Sequence, residues 1–230
     1  MVKAVVFDLD DTLISEKEYI KSGYRHIAMI LEHRFNVDKN QIYSDLMQLF
    51  NENSRNVFNR LFDRYHTSYS KEIILDLVNE YRSHFPEIEF FDDVIPCLNE
   101  LKRLGIKTGI ITDGYATAQR QKLKAIQAEK FFDEIIVTDE LGRDYWKPHP
   151  KAFEVIKEKF DVNFDEMIYV GDNPEKDFYI GSIYPIETIK IVRPLSVYSS
   201  AAYFKNYRES FSVNSFEVLL KELIKKVEIE

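Results

Sequence analysis

Two carboxylates, Asp8 and Asp10, follow the apolar run Ala4-Val5-Val6-Phe7 and are separated only by Leu9. In an extended segment, residues two apart point to the same side. Such a pair can divide a reaction: one carboxylate attacks an electrophile while its neighbour moves a proton. The same pair can hold a hard cation. The short apolar run ahead of them reads as a strand buried on both faces of a parallel sheet. The C-terminal ends of such strands are where open α/β sheets build their sites. Three later segments place polar residues in the same kind of position. Ile110-Ile111-Thr112-Asp113-Gly114 ends a strand in a hydroxyl, an acid and a glycine. Lys147-Pro148 stands ahead of a helical pattern, and the run Ile168 to Val170 leads through Gly171 to two acids, Asp172 and Asp177.

Read in order, these segments are Asp-x-Asp-x-Thr, hydrophobics-Thr, Lys and Gly-Asp-x-x-x-x-Asp. They resemble the four motifs of the haloacid dehalogenase superfamily, over residues 4 to 177. The resemblance implies a role for each residue. Asp8 is expected to attack phosphorus and form an aspartyl-phosphate. Asp10 is expected to protonate the leaving oxygen and then deprotonate water. Its presence points to phosphatases and phosphomutases rather than to dehalogenases or phosphonatases. Thr112 and the backbone N–H groups of Asp113 and Gly114 are expected to bind phosphate oxygens. Lys147 is expected to neutralise the phosphoryl charge. Asp172 would complete a Mg²⁺ site with Asp8 and the backbone carbonyl of Asp10. Asp177 would orient Lys147 or a metal-bound water, with Asn173 beside it, and Thr12 would bond the loop backbone and orient Asp10. Plainer readings stand next to these: Thr112 as the N-cap of the following helix, Asp172 and Asp177 as a Gly-Asp turn, Lys147 as a solvated lysine. Asp11 reads as a turn or surface residue, Trp146 as core, and His149 as a polar helix start.

The elements that must position these residues alternate from about residue 92 onward. A helix runs to Leu104, closed by Gly105. Strands are expected at Ile106 to Ile111, Glu134 to Val137, Met167 to Val170 and Thr188 to Val192, with an edge strand at Phe211 to Val213. Helices fall at Ala116 to Ile126, Pro150 to Phe160 and Ser215 to Lys226. Such alternation predicts right-handed βαβ units: an α/β chain with a doubly wound, Rossmann-like parallel sheet. Residues 16 to 87 interrupt it. Apolar residues there recur at helical spacing in four stripes, from Ile20 to Phe35, Ile42 to Leu49, Val57 to Tyr65 and Ile73 to Tyr81, the last opened by Ser70 as N-cap. The expected organisation is a catalytic core of residues 1–15 and 88–230 with a four-helix domain inserted between. In the superfamily that the motifs resemble, a helical cap often stands at this point and takes part in choosing the substrate.

A net charge of −8 argues against nonspecific binding to nucleic acid or to an anionic membrane, both of which need a basic surface. Any phosphate site must therefore be locally positive. The single cysteine, Cys97, allows no intrachain disulfide and reads as a small core residue. The N-terminal stretch reads as a core strand rather than a signal segment, and no run is long enough to span a bilayer, so the expected location is the cytoplasm. The function expected from all of this is a Mg²⁺-dependent phosphatase acting on a small phosphorylated metabolite, a sugar phosphate or nucleoside monophosphate. The alternatives are a phosphomutase, which shares all four motifs, and a phosphoaspartate signalling or binding module. A receiver module carries its phosphoacceptor on a middle strand, whereas Asp8 follows the first.

Overall fold

The computed structural model describes residues 1–194, 196–197 and 201–228. It divides into two compact units, Met1–Glu16 with Glu89–Glu230, and Lys17–Ile88.

The larger unit is built on β1 (Ala4–Phe7), whose residues are all buried. After the helical insertion, the chain continues through α5 (Val94–Arg103), β2 (Lys107–Thr112), α6 (Ala116–Ala125), β3 (Glu134–Val137), the short α7 (Thr138–Leu141), α8 (Lys151–Phe160), β4 (Met167–Gly171), β5 (Glu187–Ile191), β6 (Phe211–Val213) and α9 (Phe216–Glu228). The strands form one six-stranded sheet in the order β3-β2-β1-β4-β5-β6, parallel throughout. Phe7 is in register with Ile110 of β2 on one side and Val170 of β4 on the other. The strand order therefore reverses beside β1, and the crevice at its C-terminal end is the topological switch point.

Alternation along β1 sends its side chains to two layers. Ala4 and Val6 join Phe153, Ile156 and Phe160 of α8 and Tyr169 of β4 in one cluster. Phe7 packs on the other face, 5.4 Å from the Phe216 ring of α9 and 6.1 Å from Phe132. Fully burying one such phenyl ring contributes roughly 1.5–3 kcal/mol, so the site-bearing strand is anchored from both faces. β5 and α9 are each shifted by a residue or two from the sequence expectation, as element ends often are. The short α7 had no periodicity from which to be read.

The smaller unit holds α1 (Glu16–Phe35, whose first residue ends the first segment of the larger unit), α2 (Lys39–Glu52), α3 (Val57–Arg64) and α4 (Lys71–Ser83). Their expected stripes meet in one core of Ile27, Leu31, Ile42, Leu46, Leu61 and Phe62, among others. Ser70 caps α4 as expected, its hydroxyl accepting from the Ile73 N–H at 3.4 Å.

Candidate active site

The chain turns sharply after β1. The Leu13 and Ile14 amides donate back to the Leu9 carbonyl at 2.9 and 3.2 Å, and Asp11 takes a left-handed backbone with φ 52. Asp11 is buried rather than on the surface. Its carboxylate accepts from the Glu16 amide at 2.9 Å and the Val197 amide at 2.8 Å, tying the loop to the start of α1 and to the segment after β5. An aspartate tolerates this backbone conformation better than most residues, so only the turn half of the sequence reading holds. Thr12 also departs from expectation. Its hydroxyl is buried without a hydrogen-bond partner, while its carbonyl accepts from Arg193 at 3.0 and 3.2 Å. The amides of the turn already supply the bonds that the hydroxyl was expected to make.

Asp8 is 2% exposed, and its Oδ1 accepts from Lys147 Nζ at 2.6 Å. The same ammonium donates to Tyr169 Oη at 2.7 Å and Asp177 Oδ1 at 2.8 Å, and its side chain is fully buried. Burial opposes ionisation of Asp8, but Lys147 and then Lys176 outweigh it and hold the carboxyl below the ordinary carboxylate range. Burial likewise opposes the Lys147 charge, but Asp177, Asp8 and Asp113 hold the ammonium above its ordinary value.

After β4, Asp177 closes the loop on itself: its Oδ2 accepts from the Asn173 amide at 2.8 Å, and its own amide donates to the Asn173 carbonyl at 3.0 Å. Gly171 leaves room for this, because a Cβ there would lie 2.5 Å from Asp177 Oδ2. The turn is therefore present, and the closed loop aims Oδ1 at Lys147. Asn173 Oδ1 accepts from the Glu175 amide at 2.9 Å.

Carboxylate oxygens of Asp8, Asp172 and Asp177 lie within 4.8 Å of one another. Asp172 Oδ2 accepts from Ser196 Oγ at 2.8 Å, whereas its Oδ1 is buried with no hydrogen-bond partner. Burial, then Asp177 and Asp8, push the Asp172 carboxyl up to about 9. An orphaned buried oxygen among crowded acids is what a hard cation would satisfy, and the donors are all oxygen. The residues therefore fit a divalent hard cation. The grouping shares Asp8 and Asp172 with the expected set of Asp8, Asp172 and the Asp10 backbone carbonyl. Asp177 stands in it with both oxygens already engaged, and the Asp10 carboxylate, which that set does not use, is held by Lys122 Nζ at 2.7 and 2.8 Å and by Gln119 Nε2 at 3.2 Å.

At the end of β2, Thr112 is buried and its Oγ1 has no partner. It does not cap α6, which begins at Ala116 with that residue's amide donating to Asp139 Oδ2 at 2.9 Å. The Asp113 carboxylate accepts from Thr138 Oγ1 at 2.7 Å and the Lys147 amide at 3.0 Å, so it fixes the backbone on which Lys147 stands. Lys176 Nζ approaches its other oxygen at 3.5 Å. Gly114 has φ +130, a conformation that side chains rarely adopt.

A cleft of ≈ 420 Å³ opens between Asp10, Asp113, Gly114, Lys147, Asn173 and Lys176. Trp146 lines it rather than joining the core, held by its indole N–H donating to Asp139 at 3.2 Å. His149 is exposed, and its Nδ1 accepts from the Lys151 amide at the start of α8, the polar helix-start role expected of it. Sequence reading gave no role to Lys122, Gln119, Lys176, Glu16 or Ser196. Lysine, glutamine and glutamate on a helix face or in a loop carry the pattern of solvated residues, and only the fold turns these inward. Cys97 is a buried core residue whose thiol burial pushes up to about 12.

Of the aromatic segment near the C-terminus, Tyr198 lies outside the described residues. Tyr203 packs against Phe178 and under Lys190 of β5, and Phe204 meets Tyr179, so this segment packs on β5 and on the connection that leads into it from β4. Among the described residues, no helix is long and apolar enough to cross a membrane.

Comparison with known proteins places this geometry. The family model described as haloacid dehalogenase-like hydrolase matches residues 5–191. A glyceraldehyde 3-phosphate phosphatase of Methanopyrus kandleri is 30% identical over 200 residues, 84% of this chain and 85% of that protein. The enzyme of the same name from Pyrococcus abyssi is 32% identical over 184 residues, 78% and 76% of the two chains. In fold, the chain matches the crystal structure of a HAD phosphatase from Thermococcus onnurineus, with TM-score 0.61 and 24% identity over 96% of this chain and 98% of that one. The chain belongs to the haloacid dehalogenase-like hydrolase family.

Proposed function

We propose that this chain is a Mg²⁺-dependent phosphatase that hydrolyses a small phosphorylated metabolite through an aspartyl-phosphate on Asp8. The observation that carries the reading is Asp8 itself: a buried carboxylate at the switch point, kept ionised by a lysine 2.6 Å away. A carboxylate is a weak nucleophile in water. Withdrawn from water and faced by positive charge that also draws in the phosphoryl group, it becomes competent.

In the first half-reaction an oxygen of Asp8 attacks phosphorus, the bond from phosphorus to the substrate oxygen breaks, and Asp10 gives that oxygen a proton. In the second, Asp10 takes a proton from water, the hydroxide oxygen bonds to phosphorus, and the Asp8 carboxylate leaves as inorganic phosphate forms. Lys147 and Lys176 offset the phosphoryl charge, and the Thr112 hydroxyl and the amides of Asp113 and Gly114 receive its oxygens. Held by Asp8, Asp172 and the Asp10 backbone carbonyl, Mg²⁺ would supply the remaining positive charge. The archaeal relatives are named for glyceraldehyde 3-phosphate. This favours the sugar phosphate class over nucleoside monophosphates, and the modest cleft volume suits a short substrate.

The test is phosphate release from p-nitrophenyl phosphate and a panel of sugar phosphates, with Mg²⁺ and with excess EDTA, for the wild type and Asp8→Asn. Multiple turnover that needs Mg²⁺ and disappears in a folded Asp8→Asn protein is expected. Full activity in EDTA would remove the metal from the reading. A kcat near wild type in Asp8→Asn would remove the covalent intermediate.

A further inference from the structure

Among the polar groups of the cleft that the motifs leave without a role, Lys122 and Gln119 both reach the Asp10 carboxylate. Both lie on α6, one helical turn apart, and both are buried, at 3% and 4% exposure. Taking a lysine out of water is costly unless a charge answers it. Here the answering charge is Asp10: Lys122 Nζ reaches both of its carboxylate oxygens, at 2.7 and 2.8 Å. Gln119 Nε2 donates to Asp10 Oδ2 at 3.2 Å and to the Asp113 carbonyl at 2.8 Å, and so links Asp10 to the end of β2. The backbone makes room for this link. A Cβ at Gly114 would lie 2.4 Å from Gln119 Nε2.

We propose that Lys122 and Gln119 are positioning residues that hold the Asp10 carboxylate in one orientation toward the cleft, where it exchanges a proton with the leaving oxygen and then with water. The inference rests on the reading of Asp10 as the acid and base of a phosphatase. It separates from a purely architectural ion pair, which would tie α6 to the loop after β1 and leave the chemistry untouched. A helper of Asp10 matters most where the leaving oxygen needs a proton. It matters little where the leaving group departs unaided.

Steady-state rates are compared on an alkyl phosphate, such as a sugar phosphate turned over by the wild type, and on 2,4-dinitrophenyl phosphate. The proteins are wild type, Lys122→Met, Lys122→Arg, Gln119→Leu, Asp10→Asn and the double variant Asp10→Asn/Lys122→Met. Lys122→Met is expected to lower kcat/KM on the alkyl substrate by about tenfold to a hundredfold, a part of what a general acid or base commonly provides. On the dinitrophenyl ester the loss should be a small fraction of that. Lys122→Arg should restore part of the difference, and Gln119→Leu should show the same selectivity more weakly. In the Asp10→Asn background, Lys122→Met should cost nothing further, because the group it positions is gone. Equal losses on both substrates, or losses additive with Asp10→Asn, overturn the inference. If Lys122→Met does not fold, Gln119→Leu and Lys122→Arg carry the same comparison, and a wild-type ratio in both overturns it. A wild type that turns over no phosphate ester sinks the phosphatase reading itself. An active wild type with unselective variants sinks only the positioning role.

Discussion

Lys147 stands at the centre of the site's charge balance. Its ammonium sits between Asp8 and Asp177, and its backbone amide is held by Asp113. Replacing it with alanine removes the charge that opposes a transferring phosphoryl group, and loss of one such stabilising donor commonly costs a factor of ~10² to 10³ in kcat. The same substitution leaves buried acids facing each other, and breaking a buried pair on one side costs about 3–5 kcal/mol. Lys147→Ala should therefore lower kcat by that factor and lower Tm as well. Steady-state kinetics read beside circular dichroism at the assay temperature separate the two effects. A change in kcat below threefold in a folded protein would place Lys147 outside the chemistry. That Lys147 would meet the strand-end acids was legible from sequence, because its place between two strand ends narrows where a lysine can reach. Lys122 was not legible. It differs from its neighbour Lys124 only in which way the helix turns it, and that depends on a partner more than a hundred residues away in the chain.

At the scale of elements, the sheet could be read because apolar runs of strand length, separated by helical stripes, leave few arrangements. The loops after β1 and β5 could not, because they are held by side chains whose partners are distant in sequence. Asp93, at the start of α5, shows how. Its Oδ2 accepts from Arg193 Nη1 at 2.7 Å and from the Phe216 amide at 2.8 Å, joining α5, the segment after β5 and the first turn of α9. Arg193 in turn donates to the Thr12 carbonyl, so this junction braces the loop that carries Asp8 and Asp10. Partial burial raises the Asp93 carboxyl, but Arg193 and the Phe216 amide outweigh it and hold it below its ordinary value near 3.8. A depressed carboxylate contributes stability that is present above the unfolded value and is lost as pH falls through the folded one. Asp93→Asn should therefore lower Tm at pH 7, and the gap from wild type should close as pH drops below about 3.8. Thermal melts of both proteins between pH 3 and pH 7 check this. A gap that stays constant with pH would mean that the aspartate acts through shape alone. The pair is part-exposed, so the expected effect is modest.

At the scale of the whole molecule, the chain leaves the larger unit at Glu16, directly after the loop that bears Asp8 and Asp10, and returns at Glu89. Every residue proposed above for the phosphoryl chemistry lies in the larger unit, which leaves the helical unit free to vary with the substrate. We expect the helical unit to set substrate choice, since it is inserted directly after the loop that bears Asp8 and Asp10. Of the arginines on and between α2 and α3, which could meet an anionic substrate group, two are already engaged. Arg60 donates to the carbonyls of Leu49 and Asn53 and pairs with Glu52, and Arg64 pairs with Asp45, so both fasten α3 to α2. Arg55 is exposed, in the short join between those helices. Arg60→Ala should accordingly cost stability, about 1 kcal/mol for the lost hydrogen bonds, and leave the ratio of kcat/KM between two natural substrates unchanged. Arg55→Ala, together with a scan of the other exposed positions on α1 to α4, should include variants that shift this ratio while p-nitrophenyl phosphate turnover holds within about twofold, because the smaller ester asks little of specific recognition. The measurement is kcat/KM on two sugar phosphates and on p-nitrophenyl phosphate for each variant, with Tm alongside. If every exposed position could be replaced with no change in any ratio, substrate choice would lie in the larger unit, and Trp146 and Lys176 of the cleft would be the residues to substitute next.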